Sequence, residues 1–325
     1  MKILHQRKSN AEDRVNSIRD ALSDSQDVPD APNLCVYITG SYGRLEASQY
    51  SDLDLFFIHL GSEKDDSISN VDKTLIDANV IKICRKLEFP EFTKGGIYLK
   101  IHYLDDILDK LGSPEDDAQN FFTARMLLLL ESLPITNTSI YEQSIRKVID
   151  SYYRDYNDHE KDFHPVFLVN DIHRYWRTMC LNYEHNRERS VDSSDDKKAK
   201  AHLKNLKLKF SRLQTCFSMI APILAVKGSV SPDQIYNLVT MTPQERLNHI
   251  VTVKPSLKTC VDGILTEYGW FLEKTGVDST ESLKWILDRG NRNLAFDRAR
   301  NFGKLMYNLI QDAPDDPERL RFLVL

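Results

Sequence analysis

Long apolar runs are missing from this chain. The longest, Met126–Leu130 and Met219–Val226, fall far short of a bilayer span, so no membrane partner is expected. Cysteine is sparse: 5 in 325 residues (Cys35, Cys84, Cys180, Cys216 and Cys260), an odd number with no CxxC spacing. That excludes a disulfide framework or a zinc ribbon and fits a reduced, cytoplasmic setting. The 12 glycines form neither a GxGxxG fingerprint nor a Walker A lysine loop, so dinucleotide and P-loop chemistry are not indicated. The start, "MKILHQRKSN", turns polar after three apolar residues, and no secretory signal is expected. A net charge of −5 argues against a coat-type DNA-binding protein. Repeats and low-complexity tracts are absent.

The composition that is present, 41 % apolar and 28 % charged, is that of an ordinary globular protein, and the length accommodates two domains. The first third reads as α/β. "LCVYIT" (34–39) and "LDLFFI" (53–58) are β-rich runs bounded by turn residues. Ile68, Val71, Leu75, Val80, Ile83 and Leu87 recur at helical spacing, and "GGIYLKIHYL" returns to period-two alternation. After about residue 118 strand signals disappear. Helical stripes follow, one through Phe167, Ile172, Tyr175, Trp176, Met179 and Tyr183, and one from about Ala201 to Val226. "TPQER" reads as an N-cap with proline at the first helical position. The expected architecture is an α/β core with a mixed sheet over 1–118, followed by an all-α domain over 119–325.

Chemistry concentrates in "TGSYGRLEASQYSDLDLFFI" (39–58). On an extended strand, residues two apart share a face, so Asp52 and Asp54 point together while Leu53 and Leu55 pack behind them. Two like charges repel unless a cation sits between them, and paired carboxylates suit Mg²⁺, whose remaining positions accept phosphate oxygens. Gly40 allows close approach of a phosphate to the backbone, and Ser41 offers a hydroxyl and an N–H at a helix start. Two metal ions on such a site (Mg²⁺, with Mn²⁺ as a substitute) would stabilise in-line phosphoryl transfer.

Strand, Gly-Ser, spacer and Asp-hydrophobic-Asp together resemble the DNA polymerase β-like nucleotidyltransferase superfamily. "GSYGRLEASQYSDLD" is most similar to the subgroup of bacterial protein uridylyltransferases and minimal nucleotidyltransferases. The likeness covers roughly 34–58 and, more loosely, the strand near 97–103. It implies Asp52 and Asp54 as catalytic metal ligands, Gly40 and Ser41 as nucleotide-binding residues, and transfer of a nucleoside monophosphate from an NTP (ATP or UTP) to an acceptor hydroxyl on a protein or RNA. Arg44 would contact phosphate or pair with Glu46 or Asp52. Family members bring a third carboxylate from a later strand. Here Tyr98, Lys100 and His102 occupy the polar side of that strand, with Asp105 and Asp106 beyond it. His102 could ligate metal or act as a general base. Lysine in place of a carboxylate also suits the alternative, a catalytically silent nucleotide-binding or protein-interaction module.

Three further stretches carry weaker signals. "HEKDFH" (159–164) lacks the i, i+4 histidines of a zincin and reads as loop. In "NDIHRYWR" (170–177), Asn170, Asp171, Arg174 and Arg177 share a helical face, either as intrahelical pairs or as a cleft wall with Tyr175 or Trp176 stacking on a base. No acidic residue falls between Lys197 and Pro232, where Lys197, Lys198, Lys200, Lys204, Lys207, Lys209, Arg212 and Lys227 all lie. This is either a solvated face or a phosphate-facing surface. By analogy with the family, Lys207 and Ser211, one turn apart, would hold the β- and γ-phosphates, with Lys204 next and Lys209 with Arg212 an equal alternative.

Overall fold

The computed structural model describes residues 2–23, 31–65, 68–92, 99–188 and 194–323. The chain divides into two units, an α/β unit spanning His5–Ser151 and a helical unit made of Met1–Leu4 and Tyr152–Leu325.

The α/β unit is built on a four-stranded mixed sheet in the order β3-β2-β1-β4. Strands β1 (Leu34–Thr39) and β2 (Asp54–His59) pair antiparallel, from Leu34 opposite His59 to Thr39 opposite Asp54. Strand β3 (Ile101–Tyr103) runs parallel to β2, with His102 opposite Ile58. The two-residue β4 (Leu133–Pro134) lies antiparallel on the other edge of β1. One sheet face carries Leu34, Val36, Ile38, Leu55 and Phe57. These residues pack on Ala11, Val15, Ile18 and Leu22 of α1 (Lys2–Ser23) and on Ile76, Val80 and Ile83 of α3 (Asn70–Lys86). Between them in sequence comes the single turn α2 (Gly40–Gly43). The opposite face carries a row of rings, with Tyr37 5.8 Å from Phe56, Phe56 6.0 Å from His102 and Tyr37 6.3 Å from Tyr141.

Short helices α4 (Leu104–Asp109) and α5 (Pro114–Ala118) lead to α6 (Phe121–Leu130), and α7 (Thr138–Ser151) supplies Tyr141 to the second face. The α/β unit thus runs to Ser151, whereas the sequence suggested an end at 118. A two-residue strand containing proline has no period to read, so β4 escapes pattern reading, yet it carries α6 and α7 with it. Arg19 holds β4 in place, donating from Nε (3.0 Å) and Nη2 (2.7 Å) to the Pro134 carbonyl.

In α3 the buried stripe is Ile76, Val80, Ile83 and Cys84, while Val71 stays 68 % exposed. Val71 and Leu75, the latter 45 % exposed, lie on the face of α3 opposite that stripe, so the buried face is not the one the apolar spacing through 71 and 75 suggested. Ser69 caps the helix, its hydroxyl accepting from Asp72 N–H.

The helical unit begins with a 3₁₀ turn (Tyr156–Asp158) followed by a loop that holds His159–His164, as read from the sequence. In α8 (Val166–Glu188), Leu168, Val169, Ile172 and Tyr175 are buried, but Phe167, expected on the apolar stripe, is 74 % exposed. Helix α9 (Asp195–Lys207) continues through a π turn (208–212) into α10 (Leu213–Ala225). The π turn sets Phe210 between Phe271 and Phe302, each at 4.8 Å. Helices α11 (Pro232–Val239) and α12 (Pro243–Val253) both start with a capping box and proline in the first turn, the latter at Thr242 as "TPQER" indicates. Helices α13 (Lys258–Thr275), α14 (Ser279–Leu287) and α15 (Arg289–Asp312) complete the unit. No helix of the described residues is long and apolar enough to cross a membrane.

Candidate functional site

The end of β1 and the start of β2 meet at one corner of the sheet, since Thr39 pairs with Asp54. Gly40 follows at φ +67°, a backbone conformation that favours glycine. A Cβ there would stand 2.6 Å from Asp54 Oδ2, so the aspartate lies directly against the glycine Cα. Ser41 is half-buried in the single turn of α2. The turn closes on itself, Arg44 N–H donating to the Gly40 carbonyl at 3.0 Å and Glu46 N–H to the Ser41 carbonyl at 2.9 Å. A second tight turn delivers the chain to the aspartates, where Ser48 N–H donates to Ser51 Oγ at 2.9 Å. Beyond it Leu53 and Leu55 enter the core, Asp54 is half-buried and Asp52 is exposed. Four of the sequence-derived site residues, Gly40, Ser41, Asp52 and Asp54, are therefore gathered at this corner.

Arg44 serves a different purpose. It is buried, and its guanidinium donates to Glu46 Oε1 (Nε 2.7 Å, Nη2 2.6 Å) and to Glu131 Oε2, so of the protein partners considered for it, Glu46 is the one it takes. Arg7 of α1 stands near Glu46; burial pushes the Arg7 pKa down and Glu46 pulls it back up. Two arginines thus neutralise two buried glutamates beneath the Gly-Ser turn. The adjoining Gly43 is pressed on the same segment, because a Cβ would come within 2.0 Å of the Glu131 carbonyl oxygen. Sequence reasoning missed Glu131, which lies 87 residues from Arg44 and meets it only through the β1–β4 pairing.

His102 does not join the aspartates. It shares their sheet face, but its register partner Ile58 is four residues along β2 from Asp54, roughly 13 Å at strand rise. Its ring stacks on Phe56, its Nδ1 is buried without a hydrogen-bond partner, and burial, aided by Lys100, lowers its pKa to about 4. At that distance from Asp54, and with its basicity so lowered, the ring is not placed to act as a general base for chemistry there. Because the folded pKa lies below the ordinary 6.5, the linked stability is fully present above pH 6.5 and is lost as pH falls towards 4. His102→Phe is expected to remove that part of the acid dependence in urea unfolding between pH 7 and 4. An unchanged profile would show that His102 is not the titrating group.

The other candidates for a third carboxylate also lie elsewhere. Asp105 and Asp106 open α4, beyond the end of β3 that pairs with His59, at the far end of β2 from Asp54. Tyr98 lies outside the described residues. Lys100 is exposed, and no ion pair among the described residues joins it to Asp54. Nor do the described residues gather three His, Cys, Asp or Glu side chains as a metal group. The Asp52–Asp54 pair offers hard carboxylate oxygens on alternate positions beside a bare glycine Cα. Those donors suit Mg²⁺ with phosphate oxygens completing the shell.

In the helical unit, Lys207 is exposed whereas Ser211 is buried with its carbonyl accepting from Thr215 Oγ1 at 2.9 Å. The two residues therefore do not share an exposed face. On α8, Asp171 accepts from Tyr152 Oη at 2.6 Å and pairs with Arg174 at 3.4 Å. Tyr175 is buried, and Trp176 packs edge-on to Phe217 at 5.5 Å. Of the four polar residues of "NDIHRYWR", Asp171 and Arg174 thus form an intrahelical pair.

Compared with known proteins, the chain matches no family model, and none of the curated proteins searched is similar to it.

Proposed function

We propose that the α/β unit is the nucleotide-binding core of a polymerase β-like nucleotidyltransferase, acting on ATP or UTP. The reaction would join an acceptor hydroxyl oxygen to the α-phosphorus as the bond to pyrophosphate breaks. The observation that carries this reading is the corner where Gly40, bare of side chain, lies against the Asp54 carboxylate, with Asp52 two residues before it. Asp52 and Asp54 would hold Mg²⁺, which when bound supplies positive charge to the phosphates. Gly40 lets the Asp54 carboxylate lie against the backbone, and the Ser41 hydroxyl and N–H would orient the phosphate chain. Arg44 supports this turn from beneath through Glu46 and Glu131. A protein or an RNA provides the acceptor hydroxyl.

A second reading, a module that binds NTP without transferring it, is favoured by one observation: among the described residues no third carboxylate joins Asp52 and Asp54. Calorimetric titration of ATP and UTP with Mg²⁺ tests the binding site. Asp54→Ala is expected to weaken binding at least tenfold, and equal binding by both proteins overturns the site. Pyrophosphate release in the presence of cell extract then separates the two readings. Release abolished by Asp54→Ala supports transfer, and tight binding with no release supports the silent module.

A further inference from the structure

We infer that a cleft in the α/β unit, separate from the Asp52–Asp54 corner, binds a small organic cation, an alkylammonium with an aromatic body. The cleft has a volume of about 600 Å³, within the roughly 300–1,000 Å³ of small-molecule sites. It is lined by Asp13 and Arg14 of α1, by the loop 47–50, by Glu88 just past α3 and by the buried Tyr42. Part of this lining is fixed in advance. The Arg14 guanidinium lies 3.8 Å from the Phe89 ring centroid, and its Nη1 donates to the Leu87 carbonyl at 2.9 Å. Phe89 in turn meets Tyr42 edge-on at 5.6 Å, and the Tyr42 hydroxyl shares a hydrogen bond with Arg14. Tyr42 and Ala47 belong to the core between the sheet and helices α1 and α3, so the cleft adjoins that side of the sheet. Asp54 alternates with Leu55 and lies on the opposite face, which Phe56 shares.

Charge selects the occupant. The side chains of Asp13 and Glu88 are exposed and have no hydrogen-bond or ion-pair partner among the described residues. The one cation of the lining, Arg14, is already engaged by a carbonyl, a phenol and a ring face. A phosphate or a carboxylate entering the cleft would therefore meet two carboxylates and no available counter-charge. A hard metal ion needs several converging ligands, and among the described residues no three His, Cys, Asp or Glu side chains gather. An ammonium group needs only one or two carboxylates, and it leaves the rest of the volume for an organic body. Tyr50, 46 % exposed at the cleft, offers a ring to that body or to the cation itself. Glu88 adds a second, independent sign. It stands at φ +56° where α3 ends in a Schellman turn, with Glu88 N–H on the Arg85 carbonyl and Phe89 N–H on the Cys84 carbonyl, both at 3.0 Å. Glycine is the usual residue there, and a glutamate holds the left-handed conformation at a cost in stability while carrying a carboxylate to the cleft.

The test is a ligand-detected NMR titration of the full-length protein with phenethylamine, with phenylacetate and 2-phenylethanol as anionic and neutral counterparts. Phenethylamine is expected to bind saturably, with a Kd of about 1 mM or tighter, and about tenfold more tightly than either counterpart. Asp13→Asn combined with Glu88→Gln should weaken it about tenfold or more, and Tyr50→Ala about two- to fivefold. A control of Asp20→Asn with Glu142→Gln, exposed carboxylates of the same unit, changes net charge equally and should leave binding unchanged. Glu88→Gly guards against loss of folding. It places the favoured residue at the left-handed position, so it should raise the unfolding midpoint and still weaken phenethylamine binding. Asp54→Ala should leave phenethylamine binding unchanged, which keeps this test apart from that of NTP binding. No saturable binding, phenylacetate bound as tightly as the amine, equal losses in cleft and control variants, or wild-type binding by Glu88→Gly would each overturn the assignment.

Discussion

Replacing Arg125 by alanine is expected to destabilise the α/β unit by about 3–5 kcal/mol, because it strands the Asp116 carboxylate in the core. Arg125 in α6 and Asp116 in α5 are both 0 % exposed and meet in two parallel hydrogen bonds of 2.8 Å. Asp116 also accepts from the Gly112 N–H at 3.2 Å, which ties the turn before α5 into the same group. Removing one partner exposes the full desolvation penalty of the other. Replacing both with apolar residues of similar volume removes both charges, so Arg125→Met with Asp116→Leu should recover most of the loss. Urea unfolding of the three variants checks this. A single-variant cost under about 1 kcal/mol would mean that Asp116 finds water or another partner.

Gly43→Ala should have the second large effect, and it couples stability to the proposed site. The added methyl would sit 2.0 Å from the Glu131 carbonyl oxygen and 2.8 Å from its carbon. Both are backbone atoms of a segment fixed by β4 and by the Arg44–Glu131 ion pair, so the α2 turn must yield instead. Because Gly40 and Ser41 belong to that turn, its displacement moves them off Asp54. The variant should lose several kcal/mol of stability and bind NTP weakly even where it remains folded. Gly303→Ala is the matched control. It lies inside α15 with nothing within 4 Å of the added Cβ, and it should leave NTP binding unchanged while raising stability by up to about 1 kcal/mol. Similar outcomes for the two glycines would remove the special role of Gly43.

Much of the corner at Gly40 and Asp54 was legible before any coordinates. Alternation of leucine with aspartate at 52–55 determines which side chains enter the core, and the period-two rule needs no tertiary information. The two β-rich runs, the helices after residue 118 and the capped start of α12 follow from equally local signals. What local signals cannot carry is the identity of a partner distant along the chain. Arg44 reads equally well as a phosphate ligand or an ion-pair member, and only the approach of Glu131 across the β1–β4 edge shows the ion pairs it makes. Arg125 stands in the apolar run "FFTARMLLLL", a mark of a buried charge, but its neutralisation by Asp116 depends on how α5 folds back on α6. His102 lies on the polar side of its strand by alternation. The parallel register with β2 then places it beside Phe56 and Ile58 rather than Asp54, in a setting that strips its proton. Ser211, expected beside Lys207, is buried against its neighbours while Lys207 is exposed, a difference that spacing alone does not carry. Sequence alone thus determined the elements and the faces they bury, because sterics and hydrophobic period act over a few residues. Tertiary structure decided which charges are neutralised and which carboxylates share a corner, because those energies depend on distance and burial between segments far apart in the chain.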